Sequence, residues 1–209
     1  MKRVPVFMAF CFGLILGRKR GNMTKMTHLT RTVTTAVCIA LCVVLPMALH
    51  AIPNAGTLLS PMHIPVLLCG LVCGWNYGVL CGIFGPLLSS LITGMPGWGY
   101  LPTMTIELAL YGLISGLLIQ LVRTGKVVID LYISLIVAML AGRILTGISR
   151  ALIFAPRNGS VYSMEAWATG YFVSSFPGII LQLILIPILY MALRRAKLIP
   201  SRYHQEKAA

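Results

Sequence analysis

Three ionisable side chains, Glu107, Arg143 and Arg150, fall inside long apolar runs of this chain. Charge in a hydrocarbon interior is costly and normally faces a cavity or a partner, so each is a candidate for ligand contact. A helical rise of about 1.5 Å per residue puts Glu107 and Arg150 at similar depths, with Arg143 roughly 10 Å deeper. Glu107 and Arg150 therefore either pair with each other or both address a bound molecule. The plainer alternatives are a structural ion pair and an arginine that snorkels outward. Tyr111 lies one turn beyond Glu107 on the same helical face.

Other polar and aromatic groups gather near the same end of the apolar runs. His63 sits in "SPMHIPVLLCG", between Pro61 and Pro65, which stiffen the backbone at the start of such a run. Loop 95–102, "MPGWGYLP", offers Trp98 and Tyr100, and loop 154–165 offers Asn158 and Tyr162. Aromatics at this level also form interfacial belts, which is the reading for Trp167 and an equal alternative for Trp98. Gln182 lies mid-run, where a side-chain amide commonly bonds a neighbouring helix.

These groups do not compose a catalytic centre. The chain has no H-E-x-x-H, G-x-S-x-G or phosphate-cradling P-loop motif, and its acids number four. Neither an enzyme nor a cofactor is expected. Cys38/Cys42 and Cys69/Cys73 are spaced for two ligands on one helical face. Without a histidine or carboxylate beside them they read as small packing residues, and no metal is expected.

The elements that must position these residues are membrane helices. The chain is 58% hydrophobic and 10% charged, against the roughly 25% charged residues of a soluble domain. Its mean hydropathy is +0.89. Measured against the ~20 residues needed to cross a bilayer, spans fall near 33–52, 61–76, 78–94, 103–122, 130–153 and 166–192. The second and third are short and glycine-rich, parted by "WNYG". The fold class is an all-α membrane protein of six transmembrane helices.

The net charge of +13 comes from bases that flank the spans, which explains it without a nucleic-acid partner. Basic residues precede the first span, lie between the fourth and fifth, and follow the sixth, so both termini are expected in the cytoplasm. Residues 4–17 form an apolar run followed by "GRKRGN" where a signal peptide would carry small residues. Residues 1–22 are accordingly read as an N-terminal extension or a mis-assigned start, and 23–209 as one membrane domain.

The first span carries Ala36 and Ala40, an A-x-x-x-A pair that allows close helix approach. With "TTAVCIALCVVLP", the run from "SPMHIPVLLCGLVCGWNYGVLCGIFGPLLSSLITGMP" through "IELALYGLISGLL", and aromatic outer loops, the chain resembles the S components of energy-coupling factor (ECF) vitamin transporters. The likeness extends over about residues 28–198 and favours the pantothenate- and folate-type branch. It implies a substrate-binding subunit of a bacterial plasma-membrane importer that takes up a vitamin or related micronutrient. The energy would come from a transmembrane T component and two ATPases. By position, Ala36 and Ala40 would contact the T component, and the outer loops would close on substrate. His63, Trp98, Tyr100, Glu107, Tyr111, Arg143, Arg150 and Asn158 are the candidate binding residues. A stand-alone proton-coupled transporter using Glu107 or His63 is the alternative, and a membrane-embedded enzyme a more distant one. The chain shows no internal repeat of spans to favour the former.

Overall fold

A computed structural model describes residues 26–49, 60–158, 176–196 and 198–199, with the backbone alone over 150–158. Six α-helices make up these residues, in the order α1 His28–Leu49, α2 His63–Cys73, α3 Trp75–Thr93, α4 Leu101–Leu121, α5 Val127–Asn158 and α6 Phe176–Arg195. Five of them are long and apolar enough to cross a membrane, α5 by its Val127–Ser149 portion; α2 is shorter.

Local chemistry accounts for where the helices differ from the expected spans. Helix α1 starts five residues early because Thr27 caps it, its hydroxyl accepting from the backbone N–H of Thr30 at 3.3 Å. Hydropathy alone does not register a polar first turn. The stretch "WNYG" is the opening of α3, and the reversal from α2 is accomplished by Gly74 alone. Its φ of +98° lies where a side chain is strained, and its N–H still reaches the carbonyl of Gly70 at 3.0 Å. Helix α5 continues past the expected end at residue 153 to Asn158.

The unusual element is α2. Its 11 residues rise only about 16 Å, roughly half of the ~30 Å hydrocarbon core of a bilayer. Every residue in it except Val72 is buried. A helix apolar on all sides belongs inside a bundle, and α2 is surrounded by α1, α3, α4 and α6.

Glycines set the spacing around it. A Cβ on Gly78 would lie 2.5 Å from the carbonyl oxygen of Gly112, and one on Gly112 would collide with the backbone of Gly78. Gly70 faces Gly112 and Ser115, while Gly116 faces Gly74 and Trp75. These contacts run α2 parallel to α4 and α3 antiparallel to both, backbone against backbone. Such close approach by small residues is how helices gain van der Waals contact where lipid offers no hydrophobic drive.

On the opposite side of α2, thiols fill the seam with α1. Cys38, Cys42, Cys69, Cys73 and Cys81 are free and buried. Cys69 Sγ lies 3.6 Å from the Thr35 hydroxyl, and Cys73 Sγ lies 3.8 Å from the carbonyl of Arg31. Among the described residues no group of three potential ligands is arranged to hold a metal ion.

Among the described residues, α6 packs more sparsely, against α2 and α5. At the far end of α4, Asp130 is fully buried and accepts from both the backbone N–H and the hydroxyl of Thr124, at 2.9 and 2.6 Å, which fastens the α4–α5 turn. That role makes Asp130 a structural acid.

The glycine contacts predict a sharp position dependence. Gly112→Val must push α3 and α4 apart and should cost at least the ~1–3 kcal/mol of an overpacked core. Gly97→Ala, where an added Cβ meets nothing within 4 Å, should be silent. Thermal unfolding of the two variants in detergent checks this; equal melting would contradict the close packing.

Candidate functional site

The half-length of α2 decides where the site lies. Because the helix begins about 9 Å inside the start of α4, its first residue, His63, is 5% exposed and level with Glu107, two turns into α4. Pro65 is tolerated there because the first turn's N–H groups have no intrahelical acceptor to lose. The turn leading into α2 is held by Ser60, which has a φ of +43°, a conformation that non-glycine residues seldom adopt. Its carbonyl accepts from the His63 backbone N–H at 3.1 Å and from Gln182 Nε2 of α6 at 3.5 Å.

Two donors converge on one carboxylate oxygen. His63 Nε2 lies 3.4 Å from Glu107 Oε1, and the Tyr111 hydroxyl donates to the same atom at 3.3 Å. The rings of His63 and Tyr111 meet edge to face with centroids 5.0 Å apart. All three side chains are buried. Both hydrogen bonds are long, as polar groups in ligand-free sites often are before a substrate draws them together. The expected i, i+4 relation of Glu107 and Tyr111 is thus realised, and His63 is added to it from another helix.

Helix α5 closes the site from one side. A Cβ on Gly142 would strike the ring of Tyr111, so α5 can lie there only with glycine at that position. This register brings the next residue, Arg143, to the depth of the His63–Glu107–Tyr111 group. Arg143 is 3% exposed and engaged within the fold. It also lines a cavity of about 120 Å³ between α5 and α6 whose other walls are Ile136, Met139, Leu140, Ile179 and Leu183. Arg143 is its one charged lining residue. The backbone of Arg150 lies seven residues, about 10 Å, further along α5. Glu107, one turn before Tyr111 on α4, is level with a point on α5 between Arg143 and Arg150. The side chains of Arg150 and Asn158 lie outside the described residues, as do Tyr162 and Trp167.

Trp98 and Tyr100 stand apart from this group. They are 70% and 61% exposed, on a loop that the Ser89 and Ser90 hydroxyls fasten by donating to the carbonyls of Met95 and Pro96 at 2.8 and 2.9 Å. Sequence reasoning set Gln182 aside as a helix–helix contact, and it does bond the turn before α2. What that reading missed is its adjacency to His63. No spacing rule connects residues so distant in sequence, although a buried amide in an apolar run was the available signal.

The described residues form a bundle of apolar helices around a buried polar centre, the build of a membrane-embedded binding protein. Residues 30–190 match the ECF transporter, substrate-specific component family. The chain belongs to that family, whose members are membrane-embedded transporter subunits that bind small-molecule substrates and work with T and ATPase modules; it is not an enzyme. Neither a curated protein nor a solved structure matches the chain.

The shared acceptor predicts unequal costs for removing its parts. Tyr111→Phe deletes one long hydrogen bond and should cost no more than ~1.5 kcal/mol. Glu107→Ala deletes the acceptor that both His63 and Tyr111 face, and each buried group so deprived costs ~1–3 kcal/mol. Denaturant or thermal unfolding of both variants should rank them in that order, and a Tyr111→Phe loss as large as that of Glu107→Ala would refute the shared-acceptor arrangement.

Proposed function

We propose that this chain captures a small, water-soluble micronutrient, a vitamin or related precursor of the pantothenate or folate type. It passes that cargo to a T component driven by two ATPases in a bacterial plasma membrane. The binding region is the neighbourhood of His63, Glu107, Tyr111 and Arg143, with Arg150, Asn158, Trp98 and Tyr100 contributing from the outer end. Both termini lie in the cytoplasm; the basic residues Arg31, Arg123, Lys126, Arg194 and Arg195 at or next to helix ends support that orientation.

The observation that carries the reading is the two-sidedness of α1. Thr34, Thr35, Cys38 and Cys42 are buried against the bundle, whereas Thr32, Ala36, Ala40 and Val44 form an exposed stripe. The stripe's two alanines present a smooth surface to which another helix can come close. The polar centre lies between α2 and α4, away from that stripe. A docking face and a binding region on different elements are what a subunit needs if it is to bind solute alone and move it only with partners.

Substitution should separate the two roles. Ala36→Trp or Ala40→Trp should abolish uptake in cells or vesicles containing the ATPase module while leaving binding by the solitary protein within about twofold. Equal loss of both would remove the coupling role from this face. Uptake by vesicles lacking the ATPases would instead favour a proton-coupled transporter, for which the His63–Glu107 contact supplies a plausible exchange pair.

An anionic cargo group follows from an arginine beside the cavity. Losing a charge-assisted hydrogen bond costs ~1.5–3 kcal/mol, or about tenfold to hundredfold in affinity. Arg143→Ala or Arg150→Ala, checked for folding by size-exclusion profile, should weaken binding by that order. Unchanged titrations for both would eliminate the anion contact.

A further inference from the structure

Two acceptor atoms near the start of α2 are buried without a hydrogen-bond partner, His63 Nδ1 and Gln182 Oε1. Leaving such atoms unsatisfied is costly, and native folds seldom tolerate it without a reason. Their polarity can be assigned from their other ends. Glu107 Oε1 already accepts from Tyr111, and a carboxylate facing His63 Nε2 places the ring proton on that nitrogen. In that tautomer Nδ1 offers a lone pair. The Gln182 amide is oriented by Ser60, because only its NH₂ end can approach a carbonyl; the outward atom is therefore the oxygen.

The two acceptors are neighbours through that one carbonyl. Ser60 takes both the His63 backbone N–H and the Gln182 amide N–H. Gln182 is 1% exposed, and on α6 it falls between Ile179 and Leu183, which line the cavity shared with Arg143. Among the described residues α6 is also the sparsely packed member of the bundle, so it can yield to a ligand with least loss of contact.

From this we infer that His63 Nδ1 and Gln182 Oε1 together read a hydrogen-bond-donating end of the cargo, an amide N–H or hydroxyl pair, opposite an acidic group directed to Arg143. The inference rests on the transport reading above and narrows it. The substrate class is a small carboxylate whose other end carries at least two N–H or O–H donors. Ester, ether and fully N-alkylated analogues are rejected, because they would leave both acceptors unpaired.

The test uses the full chain in detergent, with hydroxylated N-acyl amino acids as probes and their N- and O-methylated counterparts as controls. The donor-bearing probes should raise the melting temperature and bind at least about tenfold more tightly than the methylated ones. Gln182→Met should erase that discrimination. Its melting temperature without added probe should stay within a few degrees of the parent's, since the unsatisfied acceptor it removes offsets the lost bond to Ser60. No stabilisation by any donor-bearing probe would overturn the inference. So would equal binding of methylated probes, or donor discrimination that survives in Gln182→Met. Failure to assemble with a T component and ATPases, with the donor discrimination intact, would count against the transport reading instead.

Discussion

Helix α2 is too short to cross a bilayer and too apolar to lie anywhere but inside the bundle, and the remaining architecture follows from that constraint. A full-length helix would carry its first residue to the membrane surface. An 11-residue helix leaves it below the surface, where a histidine can meet a glutamate two turns into α4. Holding α2 there requires neighbours that approach almost to backbone contact, which explains the paired Gly78 and Gly112 on one side and the small thiols on the other.

The polar centre is costly for the fold. Glu107 is an acid removed from water, and it is retained with two donors on one oxygen and an arginine at similar depth on the adjoining helix. The hydrogen bonds are long, and two acceptors nearby have no partner at all. A bundle selected for stability alone would bury leucines at these positions. Polar groups that are desolvated yet imperfectly satisfied are common where binding, rather than folding, sets the sequence.

Much of this was legible in the chain itself. Hydropathy placed six apolar segments, and the i, i+4 spacing placed Tyr111 beside Glu107. The A-x-x-x-A pair, Ala36 and Ala40, falls on an exposed face of α1. Helix ends were less visible, because Thr27 and Gly74 act through one hydrogen bond and one backbone angle, quantities that hydropathy averages away. Depth counted from assumed span ends is coarse for a related reason, because the register of α5 is set by Gly142 against the Tyr111 ring, which brings Arg143 to the polar group as well. Contacts such as Gln182 with Ser60 join residues 122 positions apart, and no local pattern encodes them.

The glycine seam has a mechanical consequence. Where backbones touch, there are no rotamers to rearrange, so α2, α3 and α4 form a stiff plate rather than a yielding mass of side chains. His63 and Glu107 sit on that plate, so they keep their spacing when it moves as a unit. Deformation is left to α6, the loosely seated plank on the far side.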